Sequence, residues 1–203
     1  PNPAQSYSSW LTEIIAFGTS AIRNAANKAE FIGQVKTEVG INIEVISGKR
    51  EAELIYKGVI LGLKEGNSFM VMDIGGGSTE FIYTRNGLLN TSASFEIGVS
   101  RIYQAFNLSD PYTVENCQKI EDYLEKGIGN FFDALQTDHL VGASGSFETF
   151  YELMSNKDYP ENEYVYLLNE ELMAQLERII YSTIAERESD DRIIPIRKKM
   201  API

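Results

Sequence analysis

The sequence predicts an α/β protein in two parts, the second organised around a mixed sheet. Three observations carry that expectation. Residues 14–64 alternate short apolar runs with helical periodicity, strand then helix twice over. Residues 69–97 read as consecutive strands joined by turn residues, with helices, one more strand and a further helix after them. That order suits a mixed sheet better than a doubly wound nucleotide fold. Charge divides the 203 residues at the same place: residues 1–66 hold seven Lys+Arg and seven Asp+Glu, whereas residues 67–203 hold eleven and twenty-two and so carry the whole net charge of −11. We therefore expect one part over residues 1–66 and a second over residues 67–203.

The elements follow from local patterning. Residues 14–17 form an apolar run, expected to be a short buried strand. Thr19 and Ser20 can cap a helix over 21–39, with Gly40 as its C′ residue. Residues 41–46 alternate apolar and polar, a strand signal. Ser47 and Gly48 turn the chain into a helix over 49–64 that places Ala52, Ile55, Val59 and Leu63 at helical spacing, and Glu65-Gly66-Asn67 ends it. Residues 69–74 are apolar apart from Asp73, residues 79–84 return after three glycines, and Asn86-Gly87 is a strong hairpin turn into a third strand over 88–97. Helices are expected over 99–106 and 114–135, a buried strand over 139–143 and a helix over 147–154. Residues 156–164 are polar enough for a surface loop, and residues 168–188 are amphipathic and helical. Tyr103, Phe106, Phe131 and Phe132 are expected in the core.

Composition excludes several function classes. With 43% hydrophobic and 23% charged residues the chain is ordinary for a folded protein. No apolar run approaches the about 18 residues of a membrane span, and PNPAQSYSSW lacks a signal-peptide core. A single cysteine, Cys117, excludes an internal disulfide framework, and a single histidine, His139, excludes a multi-histidine metal site. The acidic balance argues against a nucleic-acid backbone as partner. A cytoplasmic protein without membrane or nucleic-acid partners is expected, and a homodimer is left open.

The sharpest local signal is Asp73-Ile74-Gly75-Gly76-Gly77-Ser78-Thr79-Glu80-Phe81. A carboxylate at the end of a buried strand is costly unless it holds a cation or a hydrogen-bond network. Consecutive glycines allow φ > 0 and let backbone N–H groups approach an anion. Ser78 and Thr79 add hydroxyls, and Glu80 starts the returning strand. The expectation is a hairpin that cradles phosphate while a carboxylate reaches Mg²⁺, directly or through its waters. Gly-Lys-Ser/Thr is missing, and a strand rather than a helix follows, so neither a Walker A loop nor a Rossmann fingerprint fits.

Residues 73–81 resemble the second phosphate motif of the exopolyphosphatase/guanosine pentaphosphate phosphohydrolase family, within the actin-like ATPase and sugar-kinase superfamily. Residues 18–25 (GTSAIRNA) resemble the family's ATSA-R-A segment, residues 46–56 (ISGKREAELIY) its ISG-EEA-LIY segment, and residues 94–101 (SFEIGVSR) its S-IG-RL segment. Gly142-Ala143-Ser144-Gly145-Ser146 stands where the family has another glycine-rich turn. The resemblance covers roughly residues 13–200. It implies a two-lobed actin-like (ribonuclease H-like) α/β fold with mixed sheets. A family hairpin resembling D-GSN–RL is not found in residues 1–12, so the N-terminal lobe is expected to be incomplete and the second lobe to be cut short at its C-terminal end.

The implied activity is release of the terminal phosphate from inorganic polyphosphate or guanosine pentaphosphate. Glu51 matches the family's water-activating glutamate. Asp73 and Glu80 are the expected Mg²⁺ residues, and Gly75, Gly76, Gly77, Ser78 and Arg23 the expected phosphate contacts. Arg23 could equally cap structure, and Arg101 reads as one half of an ion pair. The family usually has an acid where Arg50 stands, and Lys49-Arg50 reads as solvated. An actin-like kinase or ATPase, or a non-catalytic sensor of polyphosphate or the alarmone, remains open at this level.

Overall fold

Strand pairing begins with β1 (Ala16–Gly18), which runs parallel to β2 (Ile43–Val45) with Ala16 opposite Ile43 and Gly18 opposite Val45. The computed structural model describes residues 13–63, 68–137, 139–155, 170–193, 195 and 198–203. Contacts divide the chain into two compact units, Pro1–Glu51 and Ala52–Ile203.

In the first unit the helix expected over 21–39 is two helices, α1 (Ser20–Asn24) and α2 (Lys28–Val39). Ala25 turns extended, with ψ 132°, and Asn27 caps the second helix. Two asparagines within four residues favour local turns over helix continuation. Gly40 takes the left-handed conformation, φ 75°, and its N–H bonds Lys36 O at 3.1 Å, as its C′ role requires. The run over 14–17 is not buried: Ile15 is 68% exposed and Ile14 53%. Among the described residues β1 pairs with β2 alone, and two strands offer little cover.

Helix α3 (Gly48–Ile60) crosses the division between the units. The Ser47 hydroxyl accepts the Arg50 N–H at 3.2 Å at its start. Its later turns account for the division falling at Glu51 rather than near residue 66. Ala52, Ile55, Tyr56, Val59 and Leu63 pack on Phe69, Val71 and Ile82 of the following strands. Residues 64–67, where the turn signal lies, are outside the described residues.

The second unit is built on β3 (Phe69–Ile74), β4 (Thr79–Arg85), β5 (Leu88–Phe95) and β6 (Leu140–Ala143), in the order β5-β4-β3-β6. The β3, β4 and β5 pairings are antiparallel and β6 lies parallel to β3, so the sheet is mixed as expected. Asn86 (φ 54°) and Gly87 (φ 74°) are both left-handed, the requirement of a type I′ hairpin. One face of the sheet meets α3. The other carries Met70, Phe81 and Tyr83 against Phe95, Phe131 and Leu135. Phe81 and Phe132 meet edge to face at 4.9 Å, with Phe132 at the rim.

Helices α4 (Val99–Ala105) and α5 (Val114–Ile128) enclose Ile102, Tyr112 and Ile120. Tyr103, expected in the core, faces solvent on α4. The helix expected to reach residue 135 stops at Ile128, because Gly129 turns to φ 59° while its N–H bonds Glu125 O. Helix α6 is Gly145–Ser155. The amphipathic stretch near the C-terminus is two helices, α7 (Glu170–Ile180) and α8 (Ile184–Glu188), because Thr183 and Glu186 form a capping box that starts a new helix. The loop expected over 156–164 and the start of that stretch at Leu168 lie outside the described residues.

Candidate functional site

In the first unit the backbone draws Arg23 and Glu51 together. Gly18 O accepts Ile46 N–H at 3.1 Å. A side chain at Gly18 would crowd Ile22 and Ile43 at 3.2 Å, so those neighbours would have to give by a few tenths of an ångström. Arg23 then reaches from α1 to Ile46 O at 2.9 Å and to Glu51 Oε2 at 3.2 Å. Both side chains are mostly enclosed, 19% and 15% exposed. Arg23 thus holds the Glu51 carboxylate in one orientation, in the first turn of α3 where the helix dipole favours an acid.

In the second unit the turn between β3 and β4 is closed by Gly75 N–H donating to Ser78 O at 3.0 Å. The carbonyl oxygens of Gly75, Gly76 and Gly77 are taken from one side. Val99 N–H donates to Gly75 O at 3.1 Å, Ser100 N–H to Gly76 O at 2.9 Å, and Arg101 Nε to Gly77 O at 3.0 Å. Arg101 also pairs with Glu96, the ion pair expected of it. In a trans peptide the C=O and the next N–H point in opposite directions. With those carbonyls turned to α4, the N–H groups of Gly76, Gly77 and Ser78 point away from it. None of the three has an acceptor among the described residues. Together they form a nest of backbone donors, an arrangement able to accept an anion.

The glycines serve a different purpose from the one expected. Among the described residues the left-handed glycines are Gly40, Gly87 and Gly129, so Gly75, Gly76 and Gly77 do not need φ > 0. Close approach excludes a side chain at Gly98 and crowds one at Gly76. A Cβ on Gly98 would lie 2.5 Å from Gly76 C, Gly76 O and Ser78 N, and one on Gly76 would lie 3.1 Å from Ser100 Oγ. Ser78 is 3% exposed, so its N–H rather than a solvent-facing hydroxyl is what it brings to the turn.

Asp73 and Glu80 are direct partners across the β3–β4 ladder and therefore share a face of the sheet. Burial pushes the Asp73 carboxyl above the usual carboxylate range, and a hydrogen bond from Ser144 pulls the other way. Glu80 is 2% exposed and accepts the Ser94 hydroxyl at 2.6 Å. Among the described residues no three His, Cys, Asp or Glu side chains converge as a metal cage. That donor set fits Mg²⁺, which takes one or two carboxylates and completes its shell with phosphate oxygens and water.

Sequence reasoning did not single out Ser94 or Ser144. Ser144 sits at the β6-to-α6 turn with φ 69°, and both it and Ser146 reach Ile74 O, at 3.4 and 3.2 Å. The glycine-rich run 142–146 was the available signal. Gly142 is there for packing, since a Cβ would lie 2.0 Å from the Phe147 ring.

Residues 4–192 match the Ppx/GppA phosphatase family. The chain belongs to that family. All four segments that carry the resemblance lie within the match, and the α/β class with a mixed sheet is the one observed. Among curated relatives, the bifunctional 3-dehydroquinate synthase/phosphatase of Fusobacterium nucleatum is 33% identical over 169 residues, 80% of this chain and 26% of that protein. The guanosine-5'-triphosphate,3'-diphosphate pyrophosphatase of Photobacterium profundum is 31% identical over 140 residues, 68% of this chain and 28% of that one. The exopolyphosphatase structure from Cytophaga hutchinsonii superposes with a TM-score of 0.90 at 31% identity, covering 98% of this chain and 67% of that one. The chain thus spans about a quarter of the length of the curated relatives it matches.

Proposed function

We propose that this Ppx/GppA family member is a phosphohydrolase that releases the terminal phosphate of inorganic polyphosphate or guanosine pentaphosphate. The observation that carries the reading is the row of N–H groups at Gly76, Gly77 and Ser78, which have no acceptor among the described residues, in the turn that follows Asp73 and β3. Phosphoryl transfer needs positioning and charge neutralisation more than covalent catalysis, and this arrangement offers both. The N–H groups bind oxygens of a phosphate, and Asp73, with Glu80 behind it, holds Mg²⁺. When bound, that ion neutralises charge on the phosphate oxygens.

Glu51 takes the proton of the attacking water. The water oxygen forms a bond to the terminal phosphorus, the bridging P–O bond breaks, and its electron pair leaves with the shortened chain. Arg23 keeps Glu51 oriented and reads here as a positioning group more than a phosphate contact, consistent with its bonds to Ile46 O and Glu51. The test is phosphate release from polyphosphate and from guanosine pentaphosphate by the full-length protein with Mg²⁺. Glu51→Gln preserves the volume and the acceptor for Arg23 while removing the base. A fall of at least about 10²-fold is expected, and equal rates would sink the assignment of Glu51. Turnover of ATP with a phosphate acceptor, and none of either substrate, would favour a kinase instead.

A further inference from the structure

One transverse row of the sheet runs Ser94, Glu80, Asp73, Ala143, from β5 across to β6. Its two carboxylates are each met by a serine from the flanking side. Ser94 donates to Glu80 Oε1 at 2.6 Å, and Ser144, the residue after Ala143, brings its hydroxyl to Ile74 O at 3.4 Å, close enough to the Asp73 carboxyl to pull its pKa down. Neither hydroxyl is incidental to its position. Glu80 is almost fully enclosed and, as a buried carboxylate, depends on donors delivered by its neighbours. Ser144 stands at φ 69°, where a side chain is strained and glycine is not. Strain of this kind clusters at working sites, where the surrounding structure holds it in place.

We propose that Ser94 and Ser144 are positioning residues that hold Glu80 and Asp73 in one orientation toward a divalent cation. The inference rests on the reading of Asp73 as that cation's ligand. The sheet makes the device specific. Register alone fixes which serine meets which carboxylate, and a one-residue slip would turn both acids to the opposite face. Ser94 acts within the ladder and Ser144 from the turn beyond it, so the pair of acids is braced from both edges. Residues that orient a ligand in this way commonly change metal affinity by about 10–100-fold when removed.

The experiment is Mn²⁺ binding by the full chain, followed through the electron paramagnetic resonance signal of the free ion, with no substrate present. The variants are Ser94→Ala, Ser94→Thr, Ser144→Gly and Asp73→Asn. Ser144→Gly is expected to weaken Mn²⁺ binding at least about tenfold while its melting temperature stays level or rises, because glycine adopts that φ freely. Ser94→Ala is expected to weaken it similarly, and Ser94→Thr, which keeps a hydroxyl, to restore it. Wild-type affinity in Ser144→Gly overturns the role of Ser144. A threonine variant no better than the alanine one overturns that of Ser94. If Asp73→Asn loses Mn²⁺ while every serine variant keeps it, this inference alone falls. If Asp73→Asn binds as the wild type does, the assignment of Asp73 falls and takes this one with it.

Discussion

Gly98→Ala should damage the turn that carries the Gly76, Gly77 and Ser78 N–H groups, since its Cβ collides with that turn's backbone, Ser78 N included. The added Cβ would lie 2.5 Å from Gly76 C, Gly76 O and Ser78 N. All three are backbone atoms, so no side chain can swing aside. Reaching ordinary van der Waals contact requires the turn and the start of α4 to separate by about 1 Å. The bonds that join them span 2.9–3.3 Å, from Val99, Ser100 and Arg101 N–H to the Gly75 and Gly76 carbonyls. Lengthened by about 1 Å they no longer count as hydrogen bonds. Overpacking costs about 1–3 kcal/mol, and lost backbone bonds cost about 1 kcal/mol each before water replaces part of them. A total near 3 kcal/mol is expected, or about 100-fold in the folding equilibrium.

The assay pairs urea unfolding with phosphate binding by calorimetry. Gly58→Ala is the control: it lies exposed within α3, and nothing stands within 4 Å of its Cβ position. That change should stabilise by about 0.5–1 kcal/mol, the usual gain of alanine in a helix. Gly98→Ala should shift the urea midpoint down and weaken phosphate binding together, since freed carbonyls no longer aim the opposite N–H groups. A Gly98→Ala protein with wild-type midpoint and wild-type phosphate affinity would refute the close-approach account.

Other consequences are tested as directly. Tyr112→Phe should stabilise by about 1 kcal/mol at neutral pH, because the buried Tyr112 hydroxyl has no hydrogen-bond partner among the described residues. Burial also lifts that phenol to about 12, so the tyrosine protein should lose stability as pH rises from about 10 toward 12, and pH-dependent unfolding should show the phenylalanine variant spared. Thr84→Val should cost about 2 kcal/mol in urea unfolding: the Thr84 hydroxyl accepts Phe69 N–H at 3.0 Å and donates to Phe69 O at 3.1 Å, with Thr84 fully buried. Arg23→Lys should lower kcat more than it raises KM in steady-state phosphate release, since an ammonium cannot reproduce the bridge between Ile46 O and Glu51. Polyphosphate affinity measured from 50 to 500 mM KCl at fixed Mg²⁺ should fall only weakly, unlike the steep loss at a basic patch that releases counterions.

Local chemistry made much of the second unit legible. Phe69–Ile74 shows as a strand because its apolar run is bounded by turn residues, and Asn86-Gly87 because only such pairs tolerate two left-handed residues in succession. Glu51, Asp73 and the glycine turn enter as candidates through their flanking segments, and their joint role is the proposal. What stayed hidden depends on long-range contact. The glycine at 98 matters because α4 returns to within van der Waals distance of a turn twenty residues earlier, which no window of sequence shows. Ser94 meets Glu80 only through register, and Ser144 gains meaning only from a backbone angle. The exposed Ile14 and Ile15 mislead for a related reason: an apolar run signals a strand but does not say how much covers it.

If the proposed function holds, the turn would let an acidic chain hold a polyanion. Residues 67–203 carry the whole net charge of −11, and Arg101, the cation beside the turn, is engaged by Gly77 O and Glu96. Arg101 is thus held within the turn's own bonding. The first N–H groups of α4, where the helix dipole is positive, donate into the carbonyls of the turn. Each such bond polarises its peptide unit and strengthens the N–H on the far side, so the turn passes the helix's positive end on to Gly76 and Gly77, while Arg101 Nε does the same for Ser78 through Gly77 O. A mobile cationic side chain attracts an anion from any direction. Relayed N–H groups attract it along one line of approach, while the surrounding acid repels the rest of the chain unless a cation is bound beside Asp73. On the proposed function, affinity would thereby be concentrated on the end of a phosphate chain.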